Sequence, residues 1–154
     1  RQKLKTMNKI IRIILFILII SGVGQSYAQQ GLQIASLFQK YGKQKGVTVV
    51  ELSKEMLETY EMTLYKSISF KDTEKFMPEI RRCLESDKKR AKKIKEIIEE
   101  GEVKSGYYQL PPQKGEINRF ILFKTGKKGS ATLLYIEGEL DADDLVTMLF
   151  MKKD

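Results

Sequence analysis

The sequence predicts an α+β domain: an antiparallel sheet of about five strands with helices packed mainly on one face. Three observations carry this. Two apolar runs, Ile117–Phe123 and Ala131–Glu137, flank Thr125-Gly-Lys-Lys-Gly129, and a short polar connection with glycine at both ends is a hairpin signal. Arg119-Phe-Ile-Leu-Phe123 is apolar on both faces, as a strand inside a sheet must be. Elsewhere helical spacing alternates with strand spacing, with no internal repeat and no linker that would split the chain.

The other elements follow in order. In Gly31–Tyr41, residues Ile34, Leu37, Phe38 and Tyr41 fall on one helical side, and Gly42 stops the run. Val47–Leu52 is β-branched and reads as a strand; Ser53 then caps a single helical turn. Met62–Phe70 alternates, with Met62, Leu64, Ile68 and Phe70 expected on one face. Asp72 or Thr73 should cap a helix running from Glu74 to Glu100, faltering at Ser86-Asp87, where Asp87 could cap a restart. Gly106–Leu110 reads as a short strand stopped by Pro111-Pro112, and Leu140–Phe150 as a final helix.

The first 28 residues read as a secretory signal peptide. Arg1, Lys3, Lys5, Lys9 and Arg12 lead into the apolar run Ile13–Ile20, and small residues precede a cut expected between Ala28 and Gln29. The run is shorter than the roughly 20 residues needed to span a bilayer, so no stable membrane anchor is expected once the leader is gone. Residues 29–154 then form a single domain, exported to the periplasm or beyond. Removing the leader leaves 23 basic against 20 acidic residues, so the +8 of the whole chain falls to +3 and nucleic acid is not an expected partner.

These segments together resemble an exported family of Bacteroides-type bacteria, domain-of-unknown-function 6108, and more distantly family 4252. The residues that carry the likeness are Ala28-Gln-Gln-Gly31, Met62-Thr-Leu-Tyr-Lys-Ser-Ile-Ser-Phe70, Ile80-Arg-Arg-Cys-Leu-Glu-Ser-Asp87, Gln109-Leu-Pro-Pro112 and Leu134-Tyr-Ile-Glu-Gly-Glu-Leu140 with the acids after it. The resemblance implies an exported domain and brings no catalytic residues with it.

The chemistry open to the chain is narrow. It has no histidine, which excludes Ser-His-Asp and Cys-His catalysis and histidine-ligated zinc. Its one cysteine, Cys83, excludes an internal disulfide and thiolate clusters, and its place beside Leu84 on an apolar helix side predicts burial. No cofactor, metal site or catalytic set is expected. The basic run Lys88–Lys95 is read as a solvated helix face, supported by Glu85–Lys89 and Lys92–Glu96 pairs.

Candidate binding residues are few. Tyr107 and Tyr108 could offer an aromatic surface, although neighbours on a strand face opposite ways. Glu137 and Glu139 could line a rim; with Asp141, Asp143 and Asp144 they invite a calcium site, yet no glycine turn follows, and Asp141 is better placed to cap the final helix. The expected role is a non-catalytic binding or assembly module whose partner is an envelope protein or glycan. The alternative is a hydrolase of an envelope polymer working through Glu116, Glu137 and Glu139.

Overall fold

The computed structural model describes residues 31–113 and 115–150; the expected leader and its cleavage site lie outside them. The elements are α1 Ile34–Tyr41, β1 Val47–Glu51, α2 Lys54–Thr59, β2 Met62–Phe70, α3 Met77–Lys88, β3 Lys92–Glu99, β4 Glu102–Leu110, β5 Asn118–Thr125, β6 Ala131–Gly138 and α4 Ala142–Phe150. The six strands form one sheet in the order β1-β2-β6-β5-β4-β3, with every neighbouring pair antiparallel. The class is α+β as expected, with one strand more.

That extra strand corrects the largest expectation. The chain is not helical through Glu100: α3 ends at Lys88, and Lys92–Glu99 is a strand paired with β4. Ile94, Ile97 and Ile98 favour a pleated surface, and pairing with β4 supplies backbone bonds along the strand. The turn decides it. Glu100 and Gly101 both have positive φ, 53° and 77°, the requirement of a two-residue hairpin turn. Glu100-Gly101 is thus a hairpin tip where the end of a helix was expected.

β5 lies between β4 and β6 with Arg119–Phe123 buried, the central place its two apolar faces require. Alternation along it separates two cores. On the first face Ile121, Phe123, Leu133, Tyr135, Ile68 and Phe70 are buried. Here α1 and α3 form the main helical layer: the Tyr41 and Phe70 rings meet edge to face at 6.2 Å, and Arg81 of α3 lies 5.8 Å from the Phe123 ring centre. On the reverse face Phe120, Leu122 and Ile136 pack with Leu140 and Leu145, and Leu57 of α2 joins them. Burying one such side chain stabilises the fold by about 2 kcal/mol. Helical cover therefore extends to both faces.

A second correction concerns β2. Met62 packs with the reverse-face core while Ile68 and Phe70 face α1 and α3, although even spacing should align all three. The register slips between Met62 and Leu64, and one extra residue in a strand turns everything before it to the other face. The caps expected at Ser53 and Asp141 are present, but the one expected at Asp72 or Thr73 is not: α3 starts only at Met77, with Phe76 at its N-cap and no side-chain cap bond. Ser53 Oγ accepts the Met56 N–H at 3.3 Å, and Asp141 Oδ1 accepts the Asp144 N–H at 2.7 Å. Among the described residues no helix is long and apolar enough to cross a membrane.

Candidate binding site

An open cleft of about 510 Å³ lies where the β3–β4 and β5–β6 hairpins approach the start of α3. Each wall has a local cause. The β5–β6 connection is a tight 3₁₀ turn in which Lys128 and Gly129 take positive φ, and the Gly126 N–H bonds the Ser130 carbonyl at 2.9 Å. Thr73 fastens this loop to the approach to α3: its N–H donates to the Gly129 carbonyl at 2.9 Å and its hydroxyl to the same oxygen. On the other side Thr125 donates to the Lys104 carbonyl at 3.0 Å, fixing the β4 wall.

The cleft carries both signs of charge. Arg81 donates to the Val103 carbonyl at 3.0 Å and reaches Glu102 at 3.4 Å; Lys104 approaches the same Glu102 oxygen at 3.5 Å. Glu99 lines the cleft beside them. One lip is the acidic tip Glu99–Glu102; the other is a loop bearing exposed Lys127 and Lys128. Such an open, polar, two-signed groove suits a hydrogen-bonding polymer or peptide segment better than an apolar small molecule. Its hydroxyls are occupied, since Ser130 donates to the Lys127 carbonyl at 3.0 Å and Thr125 to Lys104. No serine there is paired with a base that would activate it.

The residues singled out from sequence do not converge on this cleft or on one another. Tyr107 is half-buried on the reverse face, packed against its apolar core. Tyr108 points the opposite way and is 1% exposed, its hydroxyl donating to Glu96. Glu137 accepts the Tyr135 hydroxyl at 2.7 Å and sits 3.8 Å from Arg119 Nε, in a buried row. Arg119 also donates to the Tyr135 oxygen at 2.9 Å and to the Pro111 carbonyl at 3.1 Å. Burial is the main cause that pushes the Tyr135 hydroxyl well up, with the Glu137 carboxylate adding to it, so it stays protonated as a donor. Glu139 is exposed just beyond β6, and Glu116 is exposed on the loop before β5.

The basic run is also rearranged. Lys88 is held between Glu85 at 2.7 Å and Glu96 at 3.1 Å, and Lys93 meets Glu96 at 3.4 Å. These replace the two helical pairs expected at four-residue spacing, because the strand begins where that helix would have continued. Lys89, Arg90, Lys92 and Lys95 do face solvent. Arg81 and Lys104 carried no signal in a reading that made Glu74–Glu100 one helix. The pair Glu100-Gly101 was the available clue, since a hairpin there brings β4 and its Lys104 back towards α3.

A family model described as a family of unknown function, DUF6108, matches residues 22–149. The chain belongs to that family. No curated protein and no solved structure matches it. Among the described residues, no group of three or more His, Cys, Asp or Glu side chains could hold a metal ion.

Proposed function

We propose that this DUF6108 chain is an exported module of the bacterial cell envelope that binds or assembles, and performs no chemistry itself. One observation supports the reading above others. The charged groups of the open cleft neutralise each other, with Arg81 and Lys104 both on Glu102, instead of standing poised around a nucleophile. Such groups exchange partners readily with a ligand of mixed charge, since exposed pairs of this kind are each worth less than about 1 kcal/mol. The partner class is an envelope protein or glycan, and the leader over residues 1–28 supplies the route out of the cytoplasm.

The test is a two-dimensional NMR titration of the exported chain with defined soluble envelope glycans and with short peptides of mixed charge. Shifts should concentrate at Arg81, Glu99, Glu102, Lys104 and Ser130, and vanish in the Arg81→Ala, Lys104→Ala double variant. The same preparation should have a mass that begins at Gln29. Turnover of a glycan probe, lost on replacing Glu137 or Glu139, would instead establish the hydrolase alternative.

A further inference from the structure

Glu102 is the most loosely held of the paired charges in the cleft. Its side chain is 58% exposed, and one of its oxygens serves both cations, Arg81 at 3.4 Å and Lys104 at 3.5 Å. Both contacts are longer than the roughly 2.7–2.9 Å of a well-made bond between a cationic N–H and a carboxylate. Across the β3–β4 hairpin Glu102 stands opposite Glu99, and like charges directly opposed in a sheet repel.

Arg81 is held differently. Its Nη1 donates to the Val103 carbonyl at 3.0 Å, and its guanidinium lies 5.8 Å from the Phe123 ring centre. Neither contact involves the Glu102 carboxylate. The cation therefore keeps its place when that carboxylate swings out to solvent, and Nη2, which now reaches Glu102, is left for another acid.

We propose that Glu102 sits where the carboxylate of a ligand binds, and that the ligand is an acidic sugar of an envelope glycan, a ring with a carboxylate beside its hydroxyls. This rests on the binding role proposed above and names the ligand of that same cleft. Arg81 Nη2 and the Lys104 ammonium receive the sugar carboxylate, and Glu99, which lines the cleft beside them, accepts sugar hydroxyls. Exposed Lys127 and Lys128 on the opposite lip draw a chain of such units in. A peptide suits this lining less well. Met77 is the only large apolar side chain lining it among the described residues, and Gly126 and Gly129 offer bare backbone where a side-chain pocket would need walls. Glu102 is then a tethered competitor that the ligand must displace, so removing its charge strengthens binding. An acid that served only to fasten the hairpin would predict no such gain.

Calorimetric titration of the exported chain with a short oligogalacturonate, its neutral methyl ester and an acidic peptide of equal charge tests it. Wild type should bind the oligogalacturonate, and Glu102→Gln should bind it about threefold more tightly with unchanged circular dichroism. Arg81→Gln should weaken binding about tenfold, and the ester should not bind. Unchanged or weaker binding by Glu102→Gln overturns the displacement, as does an oligogalacturonate that binds neither form. An ester that binds as well as the acid overturns the carboxylate, and a peptide that binds at least as tightly overturns the sugar. The wider reading survives each of these results. It falls only if neutral glycans and mixed-charge peptides also leave the cleft residues unshifted in the NMR titration.

Discussion

The carboxylate of Asp87, at the end of α3, accepts the backbone N–H of Ile34 at 2.8 Å, across 53 residues of sequence. Its other oxygen accepts the Gln33 N–H at 2.7 Å. Gln33 occupies the N-cap of α1 without a side-chain cap bond of its own, so α3 supplies the acceptor that α1 lacks. Sequence placed Asp87 as the cap of a restarted helix in its own segment; it does cap a helix, but another one.

Asp87→Ala should therefore loosen α1 specifically. The loss of one buried and one part-buried bond predicts about 2 kcal/mol in urea denaturation, with faster hydrogen exchange at Ile34–Phe38 than elsewhere. Uniform loss of protection across the sheet would contradict a local role.

Glu96 links β3 to α3 and sets a pH dependence. The hydroxyl of Tyr108, donating to it, holds its carboxyl below the ordinary value of 4.5; burial opposes this, and Lys88 adds to it. A carboxylate with a lowered folded pKa contributes stability above its unfolded value and loses it as pH falls through the folded one. Wild type should exceed Glu96→Gln by about 2 kcal/mol at neutral pH, and the gap should close below pH 4.5. A gap that widens on acidification would reverse the assigned direction.

How much of this was legible follows from which forces were local. β5 could be placed in the sheet centre because residues on both of its faces are apolar, a property of the four adjacent side chains Phe120–Phe123. The caps at Ser53 and Asp141 were legible for the same reason: donor and acceptor lie three residues apart. β3 was not, because Lys92-Lys-Ile-Lys-Glu-Ile-Ile-Glu99 carries charges at helical spacing as well as β-branched residues. Pairing with Tyr107, Tyr108 and Gln109, made possible by the turn at Glu100-Gly101, settles the matter in favour of a strand. The slip at Met62 and the reach of Asp87 to α1 are likewise tertiary. The cleft was invisible for a derived reason, since without the β3–β4 hairpin Arg81 and Lys104 have no cause to meet around Glu102.

Cys83 is buried at 0% exposure on the inner side of α3, and burial pushes its thiol up, further from the reactive thiolate. A thiol reagent should label it only after denaturation. Cys83→Ala should cost about 1 kcal/mol, the scale of one small group removed from a core. Rapid labelling of the native protein would show that α3 opens.

Asp141 decides between capping and metal at the acidic corner. Its carboxylate accepts the Asp144 N–H at 2.7 Å, and Asp143 and Asp144 occupy the first turn of α4, near the positive end of its dipole. Asp141→Ala should lower stability by about 1 kcal/mol, and millimolar calcium should leave the wild-type Tm where it was. A calcium-dependent rise of Tm, abolished by that variant, would move the functional search to this corner.

Gly106 and Tyr108 lie two apart on the same face of β4. A side-chain carbon at Gly106 would run into the Tyr108 ring and hydroxyl, so the ring folds back over the glycine and covers it. The ring cannot simply swing aside. Its hydroxyl is tied to Glu96, and the Lys88 ammonium lies 5.7 Å from the ring centre, with the whole residue 1% exposed. Glycine weakens a strand, and an aromatic laid over it recovers part of the loss by shielding the bare backbone. Gly106→Ala should then destabilise by about 1–3 kcal/mol, as overpacking does, although alanine ordinarily improves a strand position. Tyr108→Ala alone should cost about 3–5 kcal/mol through the cavity it leaves. The double variant should cost less than the two together by about 1 kcal/mol or more, because the new methyl group collides only when the ring is present. Additive losses in urea denaturation would mean that the ring yields freely and that Glu96 does not hold it.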